Sequence, residues 1–150
     1  MCLIIRKFGK KGWITILSAL LLVLATDQSS VFLKNSVQRY RPSHNLELKE
    51  KVHLINNEKG GQFGFVSSHA ANIWGIAVFM MLTLEIKKYK SILLLLMWAF
   101  LVSYGRIYSG VHYPLDVVGG AILGVLLAFL IVKFSNLLQQ KIYNSHISNS

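Results

Sequence analysis

Four stretches of the chain, Trp13–Leu33, Val66–Ile86, Ser91–Tyr108 and Leu115–Val132, each run 18–21 residues with few charges. That is close to the ~20 apolar residues a helix needs to cross a bilayer. None is perfectly clean, and the unbroken part of the first, Trp13–Ala25, would by itself suit a buried helix of a soluble protein. Four such stretches within 150 residues, 53% of them hydrophobic, leave too little polar surface to cover a soluble fold. The expectation is an all-α, integral-membrane bundle of about four transmembrane helices. It forms one membrane-embedded domain over residues 1–134, and the polar, Ser- and Asn-rich stretch 135–150 is expected to be a disordered, fraying tail.

The formal charge of +10 raises two possibilities, a nucleic acid or a membrane surface. Nucleic-acid binders gather basic residues along one face or groove, whereas here they sort by topology. Arg6, Lys7, Lys10 and Lys11 precede the first stretch, Lys87, Lys88 and Lys90 fill the turn after the second, and Lys133 and Lys141 follow the fourth. Antiparallel crossing puts these nine on one side, which the positive-inside rule makes cytoplasmic. The other seven, Lys34, Arg39, Arg41, Lys49, Lys51, Lys59 and Arg106, fall on the opposite side. No nucleic-acid partner is expected, and a multi-pass protein of the cell (inner) membrane is. The lone Cys2 excludes an internal disulfide, and the first apolar stretch lacks the small-residue cleavage site of a secretory signal.

The unusual ionisable residues cluster at the outer ends of the stretches. Arg106 closes the third; His112 and Asp116 lie at the opening of the fourth, four residues apart. A carboxylate at that spacing is a common way to hold an imidazole in one tautomer with its other nitrogen free, and a guanidinium is shaped to grip phosphate bidentately. Lys34 and Arg41 end the first stretch, seven residues apart, which on a continuous helix would place them on one face; that helix is expected to run to Arg41-Pro42. Ser67-Ser68-His69 opens the second stretch, where serines serve as ordinary N-caps but where free N–H groups also attract anions. Charge at the ends of apolar spans is costly and so marks function. A metal site of His69, His112 and Asp116 is the rival reading, but three converging cations favour a polyanion, and phosphoryl transfer is the implied chemistry. Asp27 is expected either to pair with a basic residue near the outer face or, the favoured reading, simply to make polar contacts there. Between the first and second stretches lies a 23-residue extracytoplasmic loop, Ser43–Phe65. Loops of that length are usually functional or disordered, and its aromatic end favours order; no role is assigned to His44 or His53 within it.

Taken together, Lys34-x6-Arg41-Pro42, Ser67-Ser68-His69 and Arg106-x5-His112-x3-Asp116 resemble the three signature motifs of the type-2 phosphatidic acid phosphatase superfamily, whose members include membrane lipid phosphatases and vanadium haloperoxidases. The resemblance runs from about Asp27 to Gly124. It implies a phosphatase in which His112, oriented by Asp116, forms a phosphohistidine and His69 protonates the leaving oxygen. Lys34, Arg41, Ser67, Ser68 and Arg106 would cradle the phosphate, with no metal or other cofactor. Val66 and Ser68 replace the usual Pro and Gly of the middle motif, and Gly105 precedes Arg106 where Ser is usual. Family members of the membrane type usually have six spans, so the chain resembles one lacking its first two, with Met1–Ile5 and the basic turn Arg6–Gly12 as the tail of what precedes.

The implied partners are membrane lipids and a lipid phosphate or prenyl pyrophosphate. Candidates are undecaprenyl pyrophosphate, phosphatidylglycerol phosphate, phosphatidic acid and the phosphates of lipid A, presented at a site on the extracytoplasmic, periplasmic face. The 43–65 loop is the place for headgroup selection. Alternatives are a lipid phosphotransferase using the same pocket, a non-catalytic binding or scaffold protein, and, less favoured because its charges lie at span ends, a transporter. Gly119, Gly120 and Gly124 are expected to let helices of one chain pack closely, and Trp13, Trp74 and Trp98 to be interface or packing residues.

Overall fold

A computed structural model describes residues 12–148. The expectations resting on Met1–Ile5 and on the basic residues Arg6, Lys7, Lys10 and Lys11 lie outside the described residues. Four α-helices follow one another: α1 Gly12–Val37, α2 Ser68–Thr83, α3 Tyr89–Tyr108 and α4 Pro114–Ser148. Among the described residues the regular secondary structure is helical, apart from one isolated bridge between Tyr40 and Phe63. By length and composition α1, α3 and residues Pro114–Ile142 of α4 suffice to cross a membrane. At 16 residues α2 is shorter than the apolar stretch that contains it, and spans about 24 Å at 1.5 Å per residue.

The hydrophobic core is small and lies between three helices. Leu22 of α1, Phe79 of α2, and Ala128, Ile131 and Val132 of α4 form its buried cluster. The closest approach is between α2 and α4, where glycine is required by space. A methyl group on Gly75 would stand 3.2 Å from the Gly124 carbonyl oxygen, and one on Gly120 would stand 3.1 Å from the Ala70 side chain. This is packing within one chain, as the sequence reading expected. By contrast α3 buries only Ala99 and Ser103, and the Trp74 indole Nε1 donates to Ser103 Oγ at 3.1 Å to tie it to α2. Outward faces carry exposed Leu17, Leu20, Leu24, Leu93, Leu94, Phe100, Leu126 and Leu130, the composition that lipid rather than water would cover.

Two boundaries depart from the sequence reading. The first helix stops at Val37 rather than continuing to Arg41-Pro42, because Gln38 adopts φ 51°, a left-handed turn. Its N–H still bonds the Lys34 carbonyl at 3.0 Å, but Lys34 and Arg41 therefore do not share a helical face. Arg39–Arg41 run extended instead and pair with the far end of the long loop: Arg41 N–H donates to Gln62 O at 3.1 Å, and Gly64 N–H to Arg39 O at 2.9 Å. The second departure is at the C-terminus, where α4 continues to Ser148 rather than giving way to a frayed tail at Ser135. Ser135 is buried, and Gln139 Nε2 donates to both Ser135 Oγ and Thr15 Oγ1 at 3.4 Å, so polar residues bind α4 to α1.

The loop between α1 and α2 is ordered by its own contacts. It contains two single 3-10 turns, Pro42–His44 and Ile55–Asn57, and Ser43 Oγ donates to Lys59 O at 2.8 Å. Its middle lies over the end of α3: a methyl on Gly110, itself at φ 70°, would stand 2.7 Å from the His53 carbonyl oxygen.

Candidate active site

The four helix ends nearest this loop meet, and the start of α2 is the meeting point. Ser67 is the N-cap of α2, its hydroxyl accepting from Ala70 N–H at 3.4 Å. Its own N–H donates to the Asp116 carbonyl at 2.9 Å, and the residue is wholly buried. The Ser67 side chain thus caps its own helix rather than projecting into a pocket. Ser68, one position on, is turned toward α1. Its hydroxyl lies 2.6 Å from Ser30 Oγ and accepts from the Lys34 ammonium. Ser30 went unnoticed in the sequence, although it stands one helical turn before Lys34, at the spacing that shares a face. Below this layer Thr26 bonds Asn72, and Asn72 Nδ2 donates to Asp27 Oδ1 at 3.2 Å; Asp27 makes the polar contacts expected of it.

His112 and Asp116 are brought together by the way α4 begins. Pro114 occupies the first helical position, where a missing N–H costs nothing. Asp116, in that first turn, reaches back to accept the Tyr113 N–H at 2.9 Å through Oδ2, the reciprocal half of a capping box. The same oxygen faces His112 Nδ1 at 3.4 Å, which leaves Nε2 as the nitrogen available to a substrate. Both residues are buried, His112 at 3% exposure and Asp116 at 0%. Gly64 closes the other side: a methyl there would be 3.0 Å from Asp116 Oδ2 and 3.1 Å from Arg41 Cγ. The remaining Asp116 oxygen, Oδ1, pairs with the guanidinium of Arg39, a residue the sequence reading counted among the seven cations of this side without a role of its own.

Arg41 and Arg106 approach from two further directions. Arg41 Nε donates to Phe63 O at 3.1 Å, and its guanidinium passes over Gly60, where a methyl would stand 2.5 Å from Nη1. Gly60 also sits at φ 65°, so both its conformation and its size serve that arginine. Arg106, in the last turn of α3, has a buried Nε without a hydrogen-bond partner among the described residues. It lines a cleft of about 340 Å³ together with His69, Val102, Val111 and the loop residues Ile55 and Glu58. His69 is exposed on this side, within electrostatic reach of Arg106, His112, Lys34 and Arg41.

Burial is the main influence on His112, lowering its pKa below the ordinary imidazole value; the Asp116 hydrogen bond opposes this, and the charges of Arg41 and Lys34 reinforce it. Neutral imidazole is the form such a setting favours near pH 7. Burial likewise lowers Arg41, helped by the Arg106 charge, though a guanidinium starts so high that it stays protonated. Among the described residues no three His, Cys, Asp or Glu side chains group as a metal site. Three cations, one exposed imidazole and one buried, neutral imidazole with a free nitrogen can bind a phosphate dianion, attack it and protonate what leaves. All eight residues singled out from sequence fall at this end of the bundle, with Ser67 in a capping role.

A sequence model described as the PAP2 superfamily matches residues 12–140. The chain is 43% identical over 107 residues to Lipid A 4'-phosphatase of Bacteroides thetaiotaomicron, which covers 71% of this chain and 47% of that protein. It is 34% identical over 135 residues to Phosphatidylglycerophosphatase B of Bacillus subtilis, 85% of this chain and 61% of that one. Its fold resembles the crystal structure of Aquifex aeolicus LpxE with a TM-score of 0.67 at 28% identity, covering 86% of this chain and 72% of the other. The chain spans about half the length of the curated relatives it matches.

Proposed function

The chain belongs to the PAP2 superfamily, and from that membership we propose that it hydrolyses a lipid phosphate or pyrophosphate at the membrane surface by way of a phosphohistidine. What carries this reading is the meeting of Lys34, Arg41, Arg106 and His69 about a buried imidazole whose Nδ1 faces a carboxylate. His112 Nε2 attacks phosphorus; as the P–N bond forms, the bond from phosphorus to the lipid oxygen breaks, and His69 gives that oxygen its proton. Water then attacks the phosphohistidine, His69 takes the water's proton, and the P–N bond breaks to release inorganic phosphate. The three cations and the N–H groups at the start of α2 hold the phosphoryl oxygens throughout, so charge is neutralised without a metal.

The substrate is best sought among lipids that present phosphate at the extracytoplasmic face of the inner membrane, with apolar chains lying against the exposed helix faces. The relative at 43% identity acts, by its name, on lipid A, so lipid A phosphates are the first to test, phosphatidylglycerol phosphate and undecaprenyl pyrophosphate next. The test is phosphate release from each purified lipid by the protein in detergent or nanodiscs. Turnover of at least one lipid, with loss to background in His112→Ala, is expected. Substantial release by His112→Ala in a preparation free of other phosphatases removes the nucleophile assignment.

A further inference from the structure

Arg39 lies closer to the buried Asp116 carboxylate than any residue of the three motifs does, yet none of the proposed chemistry uses it. Its guanidinium pairs with Asp116 Oδ1 and lies over two rings, 5.2 Å from the centroid of Phe65 and 5.0 Å from that of Tyr113. Such contacts attract and restrain a guanidinium. Its backbone is tied as well, since Arg39 O accepts from Gly64 N–H. The side chain is about one-third exposed while Asp116 is fully buried. Arg39 is therefore held against the carboxylate oxygen that does not face His112 Nδ1.

We propose that Arg39 is a positioning residue, pinning the Asp116 carboxylate so that its other oxygen meets His112 Nδ1 and offsetting its charge so that the imidazole stays neutral. The inference rests on His112 being the nucleophile. Asp116 divides its oxygens: Oδ2 serves His112 and the Tyr113 N–H, and Oδ1 serves Arg39. Without Arg39 a buried carboxylate would keep one oxygen unpaired, a costly state. Its uncompensated charge would favour a proton on the neighbouring imidazole. The pairing has a second effect. Lys34, Arg41 and Arg106 remain for a substrate dianion because Asp116 is already matched. The charged groups facing His112 are Asp116 from α4, Lys34 from α1, Arg41 from the extended segment and His69 from α2. Asp116 faces Arg39 and His112 and is within reach of Lys34 and Arg41. Removing Arg39 thus changes one cation in a set whose other members stay in place.

The test compares wild type with Arg39→Met, Arg39→Lys and Tyr113→Leu, the last keeping the backbone N–H to Asp116 but removing one ring from the guanidinium. Two readouts are taken: kcat and KM against pH on a lipid phosphate, and titration of His112 by NMR of protein labelled with 15N-histidine. For Arg39→Met, kcat is expected to fall by about tenfold or more with KM little changed, and the His112 midpoint and the acid limb to rise together by about half a unit. Arg39→Lys, which keeps the charge, should recover most of the midpoint but not all of kcat. Tyr113→Leu should move both in the same direction by less. An unchanged midpoint and limb in folded Arg39→Met overturns the proposal, and so does a fall in kcat without any change in titration. Should wild type turn over none of the lipids, it is the phosphatase reading that fails; the NMR titration still decides whether Arg39 governs His112. Should Arg39→Met not fold, the titrations of Arg39→Lys and Tyr113→Leu decide it, no shift in either being the refuting result.

Discussion

Replacing Gly124 by alanine adds one methyl group, and the geometry says where it would go. It would be driven into the Ala71 carbonyl oxygen, with the Ala71 carbonyl carbon and the Gly75 nitrogen each 2.9 Å away. All three are backbone atoms of α2, which cannot rotate aside as a side chain would. Ordinary carbon contacts begin near 3.5 Å, so α2 and α4 would have to part by at least about half an ångström. Overpacking of this kind costs about 1–3 kcal/mol, which for a chain of this size lowers Tm by about 2–12 °C. The consequence is not only stability. The start of α2 carries Ser68 and His69, the start of α4 carries Asp116, and the Ser67 N–H to Asp116 O bond joins them, so kcat should fall as well. Gly105→Ala is the matched comparison, because nothing beyond its chain neighbours and its own helix backbone lies within 4 Å of a methyl built there. It should be neutral or stabilising by up to about 1 kcal/mol through helix propensity. Thermal unfolding of both variants at fixed detergent concentration, followed by circular dichroism, makes the measurement. Equal Tm values for wild type and Gly124→Ala would refute the claim that α2 and α4 touch backbone to backbone at this point.

Three other outcomes are expected. Because the folded-state pKa of His112 is lowered, principally by burial, the proposed nucleophile should stay unprotonated as pH falls through the ordinary imidazole value and be lost only below it; an acid limb of kcat/KM at or above that value contradicts this. Lys34→Ala and Arg106→Ala should each lower kcat by about 10²–10³-fold on the assayed lipid, as when one donor to a developing oxyanion is removed, whereas Ser30→Ala, which takes from Ser68 one of two partners, should cost less than about tenfold. Trp74→Phe removes the bond from Nε1 to Ser103 that ties α3 to α2; about 1 kcal/mol of stability should be lost, with a smaller fall in kcat than in Arg106→Ala because Arg106 rides on α3.

The helices were legible because hydropathy over about twenty residues is a local property, and the convergence of charges because antiparallel crossing needs only the order of the spans. What the sequence reading missed depends on single torsions and on contacts between distant segments. The left-handed turn at Gln38 ended α1 early and took Arg41 off the face of Lys34, and Gln carries no signal for such a turn. Arg39 could not be separated from Lys49 or Lys59 by composition, since its role arises from Asp116, 77 positions away. Ser135 and Gln139 read as a polar tail because nothing local reveals that Thr15 waits opposite them. Ser67 caps α2, a reading weighed at the outset alongside anion binding.

The backbone leaves the bundle at Arg39–Arg41 and returns to hydrogen-bond those same residues at Gln62–Gly64. The excursion between these points starts and finishes at one clasp, so its length places no demand on the spacing of the four helix tips. Within the excursion Ile55 and Glu58 line the cleft beside Arg106 and His69, while Arg41 stays anchored to Phe63 at the clasp itself. If the loop selects the headgroup, as expected from the sequence, that selection and the proposed phosphate chemistry would be carried by separate segments, with Gly60 and Gly64, which crowd Arg41 and Asp116, marking where they meet.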